Sequence, residues 1–166
     1  MVTDADLQSF GGDWTAEKLS RVRKYLGAYV KIMSKRRFRY AYIDAFAGTG
    51  YRTQKQSELE SEPMFPELFD SESQKFIEGS ATIALEVEPR FSKYIFIEKD
   101  PERAAELEKL KVEFPDKASD IIIQNTEANQ ALIEICQKNW KKHRAVLFLD
   151  PYELVASFKP YKTPVS

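Results

Sequence analysis

Apolar side chains recur every three or four residues early in the chain and form short unbroken runs later. Between residues 15 and 37 they fall at positions 19, 22, 26, 29, 30 and 33, a spacing that gives a helix one buried face. Thr15 is a suitable N-cap, and the basic run Lys35–Arg37 suits the C-terminal end of the helix dipole. The pattern therefore predicts a leading helix over residues 15–37.

Four short apolar runs, rich in aromatic and β-branched residues, predict buried strands. They are Tyr40–Phe46, Tyr94–Ile97, Ile121–Ile123 and Ala145–Leu149. Helical segments lie between them, and they are predicted to begin at Ser80, at Asp100-Pro101 and at Asn125-Thr126. Because strands and helices alternate, we expect an α/β fold whose parallel sheet carries helices on both faces.

Residues 51–78 differ in kind from the segments on either side. They contain three Ser-Glu pairs and two prolines and show no sustained period. Such a stretch is typical of a surface loop, so we interpret residues 51–78 as an insertion between the first strand and the next helix.

Glycine and acidic residues stand where the predicted strands end. Gly48 and Gly50 follow the first strand, Glu98 the second and Asp150 the fourth. Parallel strands end at one edge of a sheet, where α/β folds bind ligands, so these residues predict one site. Gly50 and Glu98 are 48 residues apart, of which the insertion accounts for 28 and leaves 20. Nucleotide-binding folds place a ribose-binding acid at about that distance.

The residues favour a cationic cofactor over a phosphate-rich one. Gly50 is not followed directly by the lysine of a phosphate-binding loop, and Tyr51–Thr53 stand where a G-x-G-x-x-G pattern would continue. Carboxylates beside a glycine turn would attract S-adenosylmethionine, because its sulfonium and amino group are positively charged. In the alternative interpretation, the acids at the strand ends only cap turns or face water.

Composition narrows the class of protein. The 25 basic and 26 acidic residues give a net charge of −1, which supplies no overall attraction to nucleic acid or membrane, although a local basic patch remains open. One cysteine, Cys136, and one histidine, His143, exclude an intrachain disulfide and a Cys- or His-rich metal site. The apolar spacing predicts Cys136 on the buried face of its helix. Without a signal-like N-terminus or an apolar run of about 18 residues, a cytoplasmic protein is expected.

Four segments together resemble the three-Cys-motif partner proteins, a bacterial and archaeal family with a class I methyltransferase-like fold. They are Asp44–Gly50, Gly79–Glu86, Tyr94–Asp100 and Phe148–Tyr152, and the resemblance covers nearly the whole chain. It implies a Rossmann-like methyltransferase fold that binds S-adenosylmethionine. In an intact form, such a domain transfers the methyl group to an amino nitrogen.

The resemblance also implies which residues bind the cofactor. Asp44, Gly48 and Gly50 correspond to the motif beside the methionine part. Glu98 corresponds to the acid that binds the ribose, and Glu127 to the segment that faces the adenine. No metal ligand is implied.

The segment Asp150-Pro151-Tyr152 resembles the Asp-Pro-Pro-Tyr signature of enzymes that methylate amino groups. The resemblance implies catalytic roles for Asp150, which accepts a hydrogen bond from the target nitrogen, and for Tyr152, whose ring stacks on the target. This chain has one proline where the signature has two, so the rigid turn that presents a backbone carbonyl is not assured.

Members of this family continue beyond the fourth strand, whereas 16 residues without a strand-like period follow Asp150 here. We therefore expect residues 1–166 to form a single, C-terminally truncated domain whose sheet is incomplete after the fourth strand. An open edge of that kind favours self-association or a partner and leaves independent activity open. The family name implies a protein with a three-Cys motif, supplied in trans. The alternative function is a non-catalytic nucleotide-fold interaction module that docks a partner protein.

Overall fold

A computed structural model describes residues 4–45 and 79–149, with side chains from residue 16 onward. The predicted insertion at 51–78 lies outside the described residues. In chain order the elements are α1 (Asp4–Ser34), β1 (Arg39–Ala45), α2 (residues 79–86), β2 (Lys93–Ile97), α3 (Pro101–Leu107), α4 (Lys109–Glu113), a 3-10 turn (Ala118–Asp120), β3 (Ile121–Gln124), α5 (Ala128–Cys136) and β4 (His143–Leu149).

The four strands form one parallel sheet in the order β3-β2-β1-β4. β1 lies inside the sheet, where Ala45 is in register with Ile97 of β2 and with Leu149 of β4. The predicted α/β class and the parallel sheet are confirmed, and the arrangement is consistent with a Rossmann-like fold.

Alternate strand residues point into two hydrophobic cores, one on each face of the sheet. On the first face, α1, α2, α3 and α4 cover an aromatic cluster centred on Phe91. Its ring lies 5.6–6.2 Å from the rings of Tyr29, Tyr40, Tyr42 and Tyr94. On the second face, α5 packs against Ile43 and Ile97. Helices therefore cover both faces, as the sequence predicts.

Helix α3 begins where the sequence predicts. Asp100 is its N-cap, and its carboxylate accepts hydrogen bonds from the backbone N–H groups of Glu102, at 2.8 Å, and Arg103, at 3.1 Å. Pro101 occupies the first turn, where a missing N–H costs nothing. The helix is interrupted at Glu108, which is both the C-cap of α3 and the N-cap of α4.

Two sequence expectations about helices are wrong. The leading helix begins at Asp4 and ends at Ser34 rather than spanning residues 15–37, because an apolar stripe reports the buried part of a helix and not the extent of its backbone hydrogen bonding. Cys136 is exposed, since the buried face of α5 is formed by Ala128, Ala131 and Ile135. None of the helices in the described ranges combines the length and hydropathy needed to cross a bilayer.

Candidate functional site

The carboxyl ends of the four strands meet at one edge of the sheet, which we call the carboxyl edge. β1 ends at Ala45, β2 at Ile97, β3 at Gln124 and β4 at Leu149. From β1 the chain continues through β2 to β3 on one side and returns to place β4 on the other. The crevice between oppositely directed crossovers is where open α/β sheets bind ligands, so β1 and β4 flank the candidate site.

Asp44 and Glu98 project from the same face at this edge. Asp44 is in register with Phe96, and Glu98 follows Phe96 by two residues while its backbone N–H still bonds to the carbonyl of Gln124. Strand spacing of about 4.8 Å and a rise of about 3.3 Å per residue place the two Cα atoms about 8 Å apart. The structure thus brings together two of the predicted acids from separate strands.

Asp44 is held in a buried hydrogen-bond network. The residue is 1% exposed, and its carboxylate accepts a hydrogen bond of 2.9 Å from the hydroxyl of Tyr42. The side chain of Ser80, from α2, is hydrogen-bonded to the same Tyr42 hydroxyl. Burial, and after it the charge of Asp44, raise the pKa of Tyr42 well above its ordinary value of 10.0. Tyr42 is therefore a fixed neutral donor that orients the Asp44 carboxylate.

Glu98 is also buried, at 2% exposure, and it organises the turn after β2. Its carboxylate accepts a hydrogen bond of 2.9 Å from the backbone N–H of Asp100. The amide of Asn125 donates to the carbonyls of Glu98 and Lys99, both at 2.9 Å. The Asn125 bonds tie the turn after β2 to the end of β3, and the Asp100 N–H orients the Glu98 carboxylate within that turn.

Glu127 lies at the same edge but is exposed. It is the N-cap of α5, and its carboxylate accepts a hydrogen bond of 3.1 Å from the backbone N–H of Gln130. The predicted start of this helix at Asn125-Thr126 is thus two residues too early, because Asn125 is engaged in the turn after β2. The capping bond uses one oxygen, Oε2, as a local acceptor.

Four of the predicted site residues lie outside the described residues: Gly48, Gly50, Asp150 and Tyr152. The sequence reasoning missed Tyr42, and it took Ser80 only for a helix cap. The sequence does indicate a role for Tyr42, because it is two residues from Asp44 on β1 and side chains two apart on a strand face the same way. Nothing local to Ser80 indicates that it meets Tyr42.

Chemically, the described part of the site offers oriented carboxylate acceptors in an environment of low exposure. Such groups accept hydrogen bonds from hydroxyls and attract cationic groups. Within residues 16–45 and 79–149, no three His, Cys, Asp or Glu side chains come together as metal ligands. Neither family models nor curated proteins nor solved structures gave a match to the chain.

Proposed function

We propose that this chain is an S-adenosylmethionine-binding domain of methyltransferase-like fold, related to the three-Cys-motif partner proteins. The observation that carries the proposal is the pair of buried acids, Asp44 and Glu98, on one face at the ends of neighbouring parallel strands. The strand order β3-β2-β1-β4 supports it, because the crevice beside β1 is the ligand position of this sheet type.

In this proposal each site residue contacts a different part of the cofactor. Asp44 faces the amino group of the methionine part, Gly48 and Gly50 allow close backbone approach, and Glu98 accepts from the ribose hydroxyls. Glu127 lies at the adenine end. A carboxylate is chemically suited to each of these donors, and Tyr42 keeps Asp44 oriented toward its partner.

Asp150 and Tyr152 are proposed to hold a target amino group in line with the sulfonium. When bound, S-adenosylmethionine would supply the methyl group on its sulfonium. Positioning is then the main contribution of the protein, because in-line transfer depends on the distance and angle between the nitrogen and the methyl carbon.

Calorimetric titration with S-adenosylmethionine and S-adenosylhomocysteine tests cofactor binding. Glu98→Gln keeps an acceptor for the Asp100 N–H but removes the charge, and we expect its affinity to fall about tenfold or more. Glu113→Gln, at an exposed position on α4, is the matched control and should bind like the wild type. A folded wild-type sample that gives no heat would refute the cofactor assignment. Unchanged affinity in Glu98→Gln would refute the ribose role alone.

A labelled-methyl assay on DNA, RNA and protein tests the catalytic part. If the chain transfers methyl groups on its own, that transfer should be lost in Asp150→Asn, with binding of S-adenosylhomocysteine retained. Cofactor binding without transfer to any of these acceptors would leave a binding domain and contradict the catalytic role of Asp150.

A second candidate function, a non-catalytic interaction module, is favoured by the surface along β4. Among the described residues β4 pairs only with β1, and a groove of about 460 Å³ separates it from α1. Tyr25 and Leu147 line this groove and are 62% and 44% exposed. We propose a second copy of the chain as the occupant, since two unpaired edges of the same strand pair antiparallel about a twofold axis.

Sedimentation velocity tests this second candidate. A concentration-dependent dimer that Leu147→Lys abolishes would support it. The control Val112→Lys changes another exposed apolar residue, 80% exposed on α4, and should leave the dimer intact. A monomer at all concentrations, or equal effects of the two variants, would refute docking of a second copy along β4.

A further inference from the structure

Two basic runs that are about 100 residues apart in the sequence lie side by side in the fold. The first, residues 35–39, runs from the end of α1 to the first residue of β1, and the second, residues 138–144, runs from the end of α5 to the first two residues of β4. The register of β1 and β4 pairs Arg39 with His143, and the backbone N–H of Arg39 donates to the carbonyl of Lys142 at 3.1 Å. We call the surface formed by these two runs the basic edge, and it lies at the amino ends of the strands.

The basic edge carries eight exposed cations and no acidic residue. They are Lys35, Arg36, Arg37, Arg39, Lys138, Lys141, Lys142 and Arg144. None of the eight forms an ion pair with a described residue. The next basic side chains along the same end of the sheet, Arg90 and Lys93, are each paired with Asp120 at 2.7 Å. One carboxylate thus partly offsets the two cations on the β2 side, whereas no described acidic side chain is paired with the cations beside β1 and β4.

Folding places these like charges together against their mutual repulsion. A cation or two at the C-terminal end of α1 is explained by the helix dipole. Arg39, Lys142 and Arg144 belong to strand starts and turns, where that explanation does not apply. An extended ligand with regularly spaced negative charges would relieve the repulsion.

We propose that the basic edge binds the phosphate backbone of a nucleic acid. Four of its cations are arginines, whose planar guanidinium groups bind phosphate oxygens in pairs. The guanidinium of Arg144 lies 3.9 Å from the centre of the Phe38 ring and donates to the carbonyl of Trp140, so at least one arginine is held in place.

A bilayer surface is the competing anionic partner, and the side chains disfavour it. Neither run contains an aliphatic residue. Phe38 and Trp140, one in each run, are half-buried. Phe38 lies beneath the guanidinium of Arg144, and the indole N–H of Trp140 donates to the carbonyl of Ile135 at 3.0 Å. A surface with charge but no apolar group to insert binds membranes weakly, whereas it suits the fully ionic backbone of a nucleic acid.

Fluorescence anisotropy with labelled 20-mer probes tests the proposal, using single-stranded DNA, duplex DNA and single-stranded RNA. If four to six of the cations meet phosphates, a plot of log affinity against log salt for the duplex has a slope of about −3.5 to −5.5. No binding to any probe at 50 mM salt, or a slope near zero, would overturn the proposal.

A charge-matched pair of double variants locates the surface. Arg37→Glu with Lys142→Glu reverses two cations in the basic edge, and Lys24→Glu with Lys109→Glu reverses two exposed cations on α1 and α4. Both proteins have the same net charge, so a difference between them reports position. We expect the first to bind at least about tenfold more weakly at 100 mM salt and the second to stay within about threefold of the wild type.

Equal losses in both double variants would show that only net charge matters and would refute the basic edge as the binding surface. Co-sedimentation with phosphatidylserine vesicles tests binding to a membrane surface. Co-sedimentation with vesicles in the absence of nucleic-acid binding would assign the surface to membranes instead. All these readouts are independent of S-adenosylmethionine, so this proposal and the proposed function fail separately.

Discussion

Replacing Tyr42 with phenylalanine removes one hydroxyl from the centre of the candidate site and leaves the ring in the core. Asp44, which is 1% exposed, then loses the donor that lies 2.9 Å from its Oδ2 atom. Hydrogen bonds to charged groups contribute about 1.5–3 kcal/mol. We expect the free energy of unfolding of Tyr42→Phe to be lower by about 2 kcal/mol at pH 7.5.

The same substitution changes how stability depends on pH. Unfolded tyrosine releases its proton near pH 10, whereas burial and Asp44 raise the pKa of folded Tyr42 well above 10.0. Above pH 10 the folded state therefore binds more protons than the unfolded state. The contribution of Tyr42 is fully present below pH 10 and decreases by about 1.4 kcal/mol per pH unit above it. The wild type loses this contribution with rising pH, and Tyr42→Phe has none to lose, so the gap between them narrows to under about 1 kcal/mol at pH 11.

Urea unfolding followed by circular dichroism measures both effects. Tyr25→Phe is the matched control, because Tyr25 is 62% exposed and stacks on Tyr29 without using its hydroxyl. The other buried tyrosines, including Tyr94 with a pKa raised by burial to about 12, contribute equally to all three proteins. A difference of less than about 0.5 kcal/mol at pH 7.5, or a gap that stays constant to pH 11, would refute the network described for Tyr42 and Asp44.

Three further substitutions test the rest of the structure by thermal and urea unfolding. Phe91→Ala removes the ring at the centre of the aromatic cluster and should lower the free energy of unfolding by about 3–5 kcal/mol; a loss below about 1 kcal/mol would contradict its central position. Lys117→Met removes a buried ammonium that donates to the carbonyl of Leu85 in α2, and we expect a loss of about 1–3 kcal/mol, against less than about 0.5 kcal/mol for Lys109→Met on the surface. Asp120→Asn weakens the half-exposed pairs with Arg90 and Lys93 and should cost under about 1 kcal/mol, a loss that 1 M NaCl reduces further; a salt-independent loss would mean a role other than ion pairing.

The elements that could be predicted from sequence are those whose signal is local. Each strand is a continuous apolar run that needs no knowledge of its neighbours, and all four were confirmed within two residues. The start of α3 is equally local, because Asp100 and Pro101 cap the helix with their own side chain and ring. The parallel sheet then follows from the alternation of strands and helices.

The features that could not be predicted depend on residues far apart in the chain. Tyr42 and Asp44 share a strand face by alternation, but the hydrogen bond between Ser80 and the Tyr42 hydroxyl joins α2 to β1. The basic edge requires the register of β1 against β4, because each run alone is typical of a solvated element end. The overall composition does not reveal the basic edge, because the net charge of −1 is a sum over all residues of the chain.

The two ends of β1 differ in charge, with Arg39 in the basic edge and Asp44 at the carboxyl edge. The carboxyl edge holds Asp44, Glu98 and Glu127, and the amino end holds the basic edge. In a parallel α/β fold, helices begin beside the carboxyl ends of strands and finish beside the amino ends, so helix dipoles favour acids at the first and bases at the second. β1 has seven residues, which separates the two ends by about 20 Å. A compact cofactor held at the carboxyl edge does not reach across that distance, so the basic edge is a surface separate from the proposed cofactor site.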